Sequence, residues 1–128
     1  MKIKTIKTKV ANNRKIKYIN NDLSDYLQID MYFHVFAIEI KRELIYYYIY
    51  HEYYLLPVPS IMFEIIESYL PVQLKILEVE DSLFICPELF FEPFFYDRIS
   101  DHEVDLELKF KNLAYEMYPD FKAEFWNR

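Results

Sequence analysis

Ten carboxylates lie between residues 78 and 107: Glu78, Glu80, Asp81, Glu88, Glu92, Asp97, Asp101, Glu103, Asp105 and Glu107. One base, Arg98, sits among them, and Phe90, Phe91, Phe94, Phe95 and Tyr96 are embedded in the same stretch. Acids around aromatic anchors suit the capture of a basic protein. Negative charge steers the encounter, and the rings supply the desolvated contacts that carry most of the binding energy. The acids also have a plainer use, as a solvated helix face and as turn residues. The contacts expected on a partner are Glu88, Glu92, Asp97 and Asp101, with Phe91, Phe94 and Tyr96 as anchors. All but Asp101, just beyond it, fall in the irregular stretch from Pro87 to Asp97, where a loop can project from a rigid scaffold.

Acid–base and metal chemistry have less to work with. His34 lies in an apolar strand pattern and reads as a core histidine, and His51 stands beside Glu52. His102 falls in the first turn of an expected helix, where the helix dipole disfavours its charged form. No H-x-x-x-H spacing and no second cysteine accompany them, so no metal site is expected. The chain has no glycine, which excludes a P-loop, a G-x-G-x-x-G turn and a G-x-S-x-G nucleophile elbow. No catalytic residue, cofactor or small-molecule substrate is expected. An enzyme would need a concave pocket holding His34 or His51 beside a carboxylate. Cys86, in the apolar run Leu83-Phe84-Ile85-Cys86, reads as a buried thiol in a reducing compartment.

The charge is unevenly spread. The formal net charge is −6, yet residues 1–20 carry Lys2, Lys4, Lys7, Lys9, Arg14, Lys15 and Lys17 and no acid. These lysines would give a salt-dependent phosphate contact. That makes a nucleic-acid-associated or phage-encoded accessory protein the alternative reading, although the acidic remainder disfavours nucleic acid as a partner. Lysine, isoleucine, asparagine, tyrosine and phenylalanine are abundant while glycine, alanine and arginine are scarce, the pattern of an AT-rich coding bias. No apolar leader follows Met1 and no run of 18 apolar residues occurs, so a cytoplasmic protein without membrane contact is expected.

The elements that must position these groups follow from periodicity. At 128 residues the chain fits one domain, and α+β is predicted: a mostly antiparallel sheet of five or six strands with two or three packed helices. Residues 2–10 and 14–19 alternate around Asn12-Asn13, which predicts a lysine-edged β-hairpin over 1–19. Residues 22–28 fit one helical turn. Residues 31–40 and 44–51 form the clearest strands, joined at Lys41-Arg42-Glu43, with Tyr32, His34, Phe36, Ile38 and Ile40 on one face. Tyr46, Tyr47, Tyr48, Tyr50, Tyr53 and Tyr54 supply either a core or an interface. Tyr53 to Pro59 reads as a connection. Ser60 caps a helix to Leu70 with Met62, Ile65, Ile66 and Tyr69 as its stripe. Residues 72–79 and 83–86 pair around Glu80-Asp81. Ser100 and Glu103 have capping-box spacing and open a helix over 100–118 carrying Leu106, Phe110, Leu113 and Met117, an alternating strand over 104–110 being the second choice. Asp120 caps a last helix with Phe121, Phe125 and Trp126.

In its small, acidic, cysteine-poor form and its Glu78–Glu107 segment the chain resembles immunity proteins of bacterial polymorphic-toxin systems, of the contact-dependent inhibition type. The resemblance implies a non-enzymatic inhibitor that binds a cognate toxin domain, a basic nuclease-type domain fitting the charge best. An unpaired edge strand or exposed tyrosines would equally serve a homodimer.

Overall fold

A computed structural model describes residues 1–121. Among these residues eight strands are formed: β1 (Lys2–Thr5), β2 (Tyr32–His34), β3 (Ala37–Lys41), β4 (Leu44–His51), β5 (Tyr54–Pro59), β6 (Phe63–Glu67), β7 (Leu74–Val79) and β8 (Ser82–Pro87). Helices α1 (Phe95–Ser100) and α2 (Val104–Met117) follow, with single 3-10 turns at Ser60–Met62 and Glu88–Phe91. The fold is α+β, with one antiparallel sheet in the order β2-β1-β6 and a second in the order β5-β4-β3-β8-β7. No helix among the described residues is long and apolar enough to cross a membrane.

The five-stranded sheet is apolar on both faces, as the two-sided patterns of β3 and β4 require. One face, with Ala37, Tyr48, Tyr50, Leu55 and Cys86, is covered by Phe90, Phe95, Ile99, Leu106, Phe110, Ala114 and Met117. The other, with Ile38, Tyr47, Ile49 and Val58, is covered by Ile3, Phe33, Met62 and Phe63 of the small-sheet side and by Val10, Leu23 and Leu27. Tyr46, Tyr47, Tyr48 and Tyr50 are all buried, so this part of the tyrosine cluster is core.

Where the structure departs from the sequence pattern, each departure has a local cause. The run 31–40 is broken at Val35 and Phe36. Val35 and Ile38 enter one core while the neighbours Phe36 and Ala37 both enter the other, so the alternation slips by one residue and Phe36 faces away from Ile38 and Ile40. Val35 N–H donates to the Met1 carbonyl and Phe36 N–H to that of Tyr48, which satisfies the break locally. The expected basic hairpin does not form. β1 pairs instead with β2 and β6, and 14–19 is a loop whose turn is built by side chains of Asn12 and Asn13. The expected helix from Ser60 is one 3-10 turn followed by β6, a Phe-Glu-Ile-Ile-Glu strand that supplies β1 with its second hydrogen-bonding neighbour. Its β-branched residues favour that outcome. Tyr54–Pro59 is a strand, not a connection. It lies at the sheet edge, where prolines such as Pro57 and Pro59 are tolerated.

The 22–28 turn forms, closed by Leu27 N–H on the Leu23 carbonyl. The β3–β4 and β7–β8 hairpins close on two-residue loops, Arg42-Glu43 and Glu80-Asp81. α2 starts at Val104, later than expected, because Ser100 is the last residue of α1. The capping box is therefore absent, and Glu103 holds the N-cap position without a side-chain cap. The stripe of α2 is as expected, with Leu106, Phe110 and Met117 buried and Leu113 packed beside them. The last predicted helix lies outside the described residues apart from its start.

Phe110 is fully buried against Phe36, Tyr50 and Phe90. Phe110→Ala is expected to lower the unfolding free energy by about 3–5 kcal/mol in urea titration. A loss below about 1 kcal/mol would show that α2 does not complete this core.

Candidate functional site

Pro87 ends β8, and the segment that follows divides its residues between core and solvent. Phe90 and Phe95 stack at 4.4 Å, both buried with Ile99. Tyr96 stacks on Tyr48 of the sheet at 5.1 Å. These residues root the segment. Glu88, Phe91, Phe94, Asp97 and Asp101 are left exposed. Phe94 is 77% exposed and adopts left-handed backbone, φ 57° and ψ 31°, a conformation that costs a residue with a Cβ about 1–2 kcal/mol.

Two of the expected contacts are turned to other work. Tyr96 belongs to the core, where burial pushes its phenol well above the ordinary range. Glu92 faces Arg98 at 3.4 Å and Lys109 at 3.9 Å. Arg98 also holds Glu103 through two hydrogen bonds of 2.7 and 2.8 Å, which keeps that carboxyl below its usual range. The one base of the segment is thus matched internally, whereas Glu88, Asp97 and Asp101 make no ion pair with the described residues.

Sequence reasoning missed Glu39. It is buried in the centre of the large sheet and accepts hydrogen bonds from the Tyr48 hydroxyl at 2.8 Å and the Ser82 hydroxyl at 3.0 Å. The signal was present, an acid inside the apolar run Ala37-Ile38-Glu39-Ile40. Burial, with Tyr96 and Glu39 beside it, pushes the Tyr48 hydroxyl far above its ordinary value. The triad ties β3, β4 and β8 together.

The histidines are scattered. His51 Nε2 is 3.7 Å from Glu52 and 3.1 Å from the Tyr26 carbonyl. His102 Nδ1 is 2.7 Å from Glu107. His34 stacks on Tyr118 at 4.3 Å and has Asp120 3.4 Å from Nε2. Its Nδ1 is buried without a hydrogen-bond partner among the described residues. Burial lowers the pKa of His34, outweighing Asp120. Cys86 is buried, which raises its thiol to about 11. Among the described residues no group of three or more His, Cys, Asp or Glu could hold a metal ion.

The basic residues of the N-terminus part company. Lys4 pairs with Glu64 at 3.2 Å and Asp30 at 3.8 Å, Lys9 with Asp22 at 3.7 Å, and Lys2 lies over the Tyr32 ring. Arg14, Lys15 and Lys17 instead line a cleft of about 910 Å³ together with Lys41 and Arg42. A smaller cleft of about 400 Å³ is lined by Glu78, Glu80, Asp81 and neighbours. Neither contains a histidine. Comparison with known protein families, with curated proteins and with solved structures found no match to this chain.

Removing the buried acceptor with Glu39→Ala is expected to cost about 1–3 kcal/mol of stability, because two hydroxyls lose their partner. An unchanged denaturation midpoint would contradict that role. The folded state keeps His34 neutral to a lower pH than the unfolded chain, whose histidine titrates near 6.5. As pH falls below that value the unfolded state takes up the proton first, so stability present above it is lost. His34→Phe is expected to make the decline in stability between about pH 7 and 5 shallower, and an unaltered pH profile would rule out this linkage.

Proposed function

We propose that this chain is a protein-binding inhibitor that captures a basic partner domain with the segment 88–101. In its most concrete form it is an immunity protein neutralising a cognate nuclease-type toxin domain. The observation that carries the reading is Phe94, a large apolar ring held 77% exposed on strained backbone between acids. Strain of this kind persists at working surfaces, where the displayed group matters more than local stability. Phe91, 39% exposed, stands three residues away as a second anchor.

Each part has a distinct task. The excess of acids steers a cationic surface toward the segment. Glu88, Asp97 and Asp101, which make no ion pair among the described residues, meet its lysines or arginines. Phe94 and Phe91 enter apolar hollows and supply the slow dissociation that rings give at interface centres. Phe90, Phe95, Tyr96 and Ile99 fix the segment to the sheet, so little ordering is lost on binding.

The reading is tested by capture from the native cell lysate at moderate salt with wild-type bait and with F94A/D97K/D101K bait. A basic protein is expected to be retained near stoichiometrically by the wild type only, and its toxicity on expression to be relieved by the wild-type chain. In purified form the variant should bind it at least tenfold more weakly, about 1.4 kcal/mol, while unfolding at an unchanged temperature. Equal retention by a folded variant, or a retained protein whose expression is harmless, would overturn the reading.

A further inference from the structure

We propose that the cleft under the Asn12–Ile19 loop binds a nucleotide, free or within a single strand, with its phosphates on Arg14, Lys15, Lys17, Lys41 and Arg42 and its base against Tyr18. This site is independent of the segment 88–101. In the large sheet Lys41 pairs with Ser82 at one end of β8, whereas the acidic segment leaves β8 from its opposite end after Pro87.

The first support is uncompensated charge. Acids outnumber basic residues 21 to 15, and Lys4 and Lys9 have each found one. Arg14, Lys15, Lys17 and Lys41 make no ion pair with the described residues. Arg42 has only a 3.8 Å contact to Asp81, with both side chains more than two thirds exposed, and Glu43 is the lone acid of the lining. Five cations converging on one concavity of an acidic protein repel one another, and an anion seated among them removes that cost.

The second support is construction. The Asn12 side chain clasps Tyr18 twice, accepting from its N–H at 2.8 Å and donating to its carbonyl at 3.1 Å. Asn13 accepts from the N–H groups of Lys15 and Ile16, each at 2.8 Å. Ile19 N–H donates to the Tyr46 hydroxyl at 3.0 Å, and Asn20 donates to the Pro57 carbonyl at 2.7 Å. A loop closed on itself and bolted to β4 and β5 holds the backbone that carries Arg14, Lys15 and Lys17 in place, which lowers the share of the ordering cost that falls on the loop.

Shape and lining narrow the ligand. The volume of about 910 Å³ lies within the range of small-molecule sites. Tyr18 is half-buried, packed against the small-sheet core and meeting Tyr46 edge-on at 6.3 Å and 73°, and the rest of its ring lines the cleft. Guanidinium and ammonium groups beside an aromatic face are the combination that grips phosphates and stacks a base.

The test is fluorescence anisotropy at low salt with labelled ATP and labelled oligothymidylate as probes. Saturable binding of at least one probe is expected, weakening as salt rises. Lys15→Glu/Lys17→Glu should weaken it at least tenfold, while the charge-matched Lys7→Glu/Lys75→Glu changes it less than twofold. Tyr18→Leu should weaken the nucleotide but leave competition by inorganic triphosphate unaltered. Tighter binding of ATP would assign the site to free nucleotide, and tighter binding of the oligomer to a strand. No saturable binding of either probe, equal loss in both lysine variants, or a Tyr18→Leu chain that binds both probes normally would overturn the proposal.

Discussion

The architecture follows from a five-stranded sheet that is apolar on both faces. Such a sheet cannot leave either side to water, so the chain must return twice, once with helices and once with other strands. The break at Val35 and Phe36 achieves this at one point in the sequence. Val35 enters one core and the neighbours Phe36 and Ala37 both enter the other, β2 departs to the small sheet and β3 stays in the large one. The Tyr118 hydroxyl, from just beyond α2, donates to the Val35 carbonyl, so the helical layer holds the break from outside. Both faces are covered along β3, β4 and β5, while the edge strand β7 leaves Ile76 73% exposed, and the acidic segment and the basic loop lie at opposite ends of the sheet.

A chain without glycine builds its turns at a cost. Left-handed backbone falls to Asn20, Asp30, Arg42, Glu52, Tyr53, Glu80, Phe94 and His102. Asparagine and aspartate bear this with little strain, because their short polar side chains bond locally. Arg42, Glu52, Tyr53 and Glu80 are explained by the two-residue hairpin loops they occupy. Phe94 has no hairpin to close. Its conformation instead turns a phenylalanine outward between two core aromatics, which is why it carries the functional reading.

Much of the fold was legible because it rests on local patterns. The two-sided alternation of residues 37–51 and the stripe of Leu106, Phe110 and Met117 appear in the structure as β3, β4 and α2. What was illegible depended on partners remote in sequence. Ser60 to Leu70 has a helical stripe, but β1 needed a neighbour and Phe63–Glu67 became one. The basic hairpin failed for the same reason, since β1 found better partners in β2 and β6. Within the segment, Glu88, Phe91, Phe94, Asp97 and Asp101 are exposed, but the stretch from Pro87 to Asp97 is not irregular as expected: Glu88–Phe91 forms a 3-10 turn and Asp97 lies in α1. The inward turn of Tyr96 depended on Tyr48, nearly fifty residues away, and Glu92 was claimed by Arg98 and Lys109. The cleft was invisible because Arg14–Lys17 and Lys41–Arg42 meet only in three dimensions.

The molecule is two-ended, with an exposed aromatic and acidic segment at one end of the large sheet and a cluster of cations at the other. Amide hydrogen exchange of the chain alone and with the basic protein proposed as its partner bears on this most directly. Protection confined to residues 88–101, with the 14–19 loop and the β3–β4 turn unchanged, is the result the account requires. Protection centred on 14–19 and 41–46, with 88–101 exchanging as in the free chain, would contradict it.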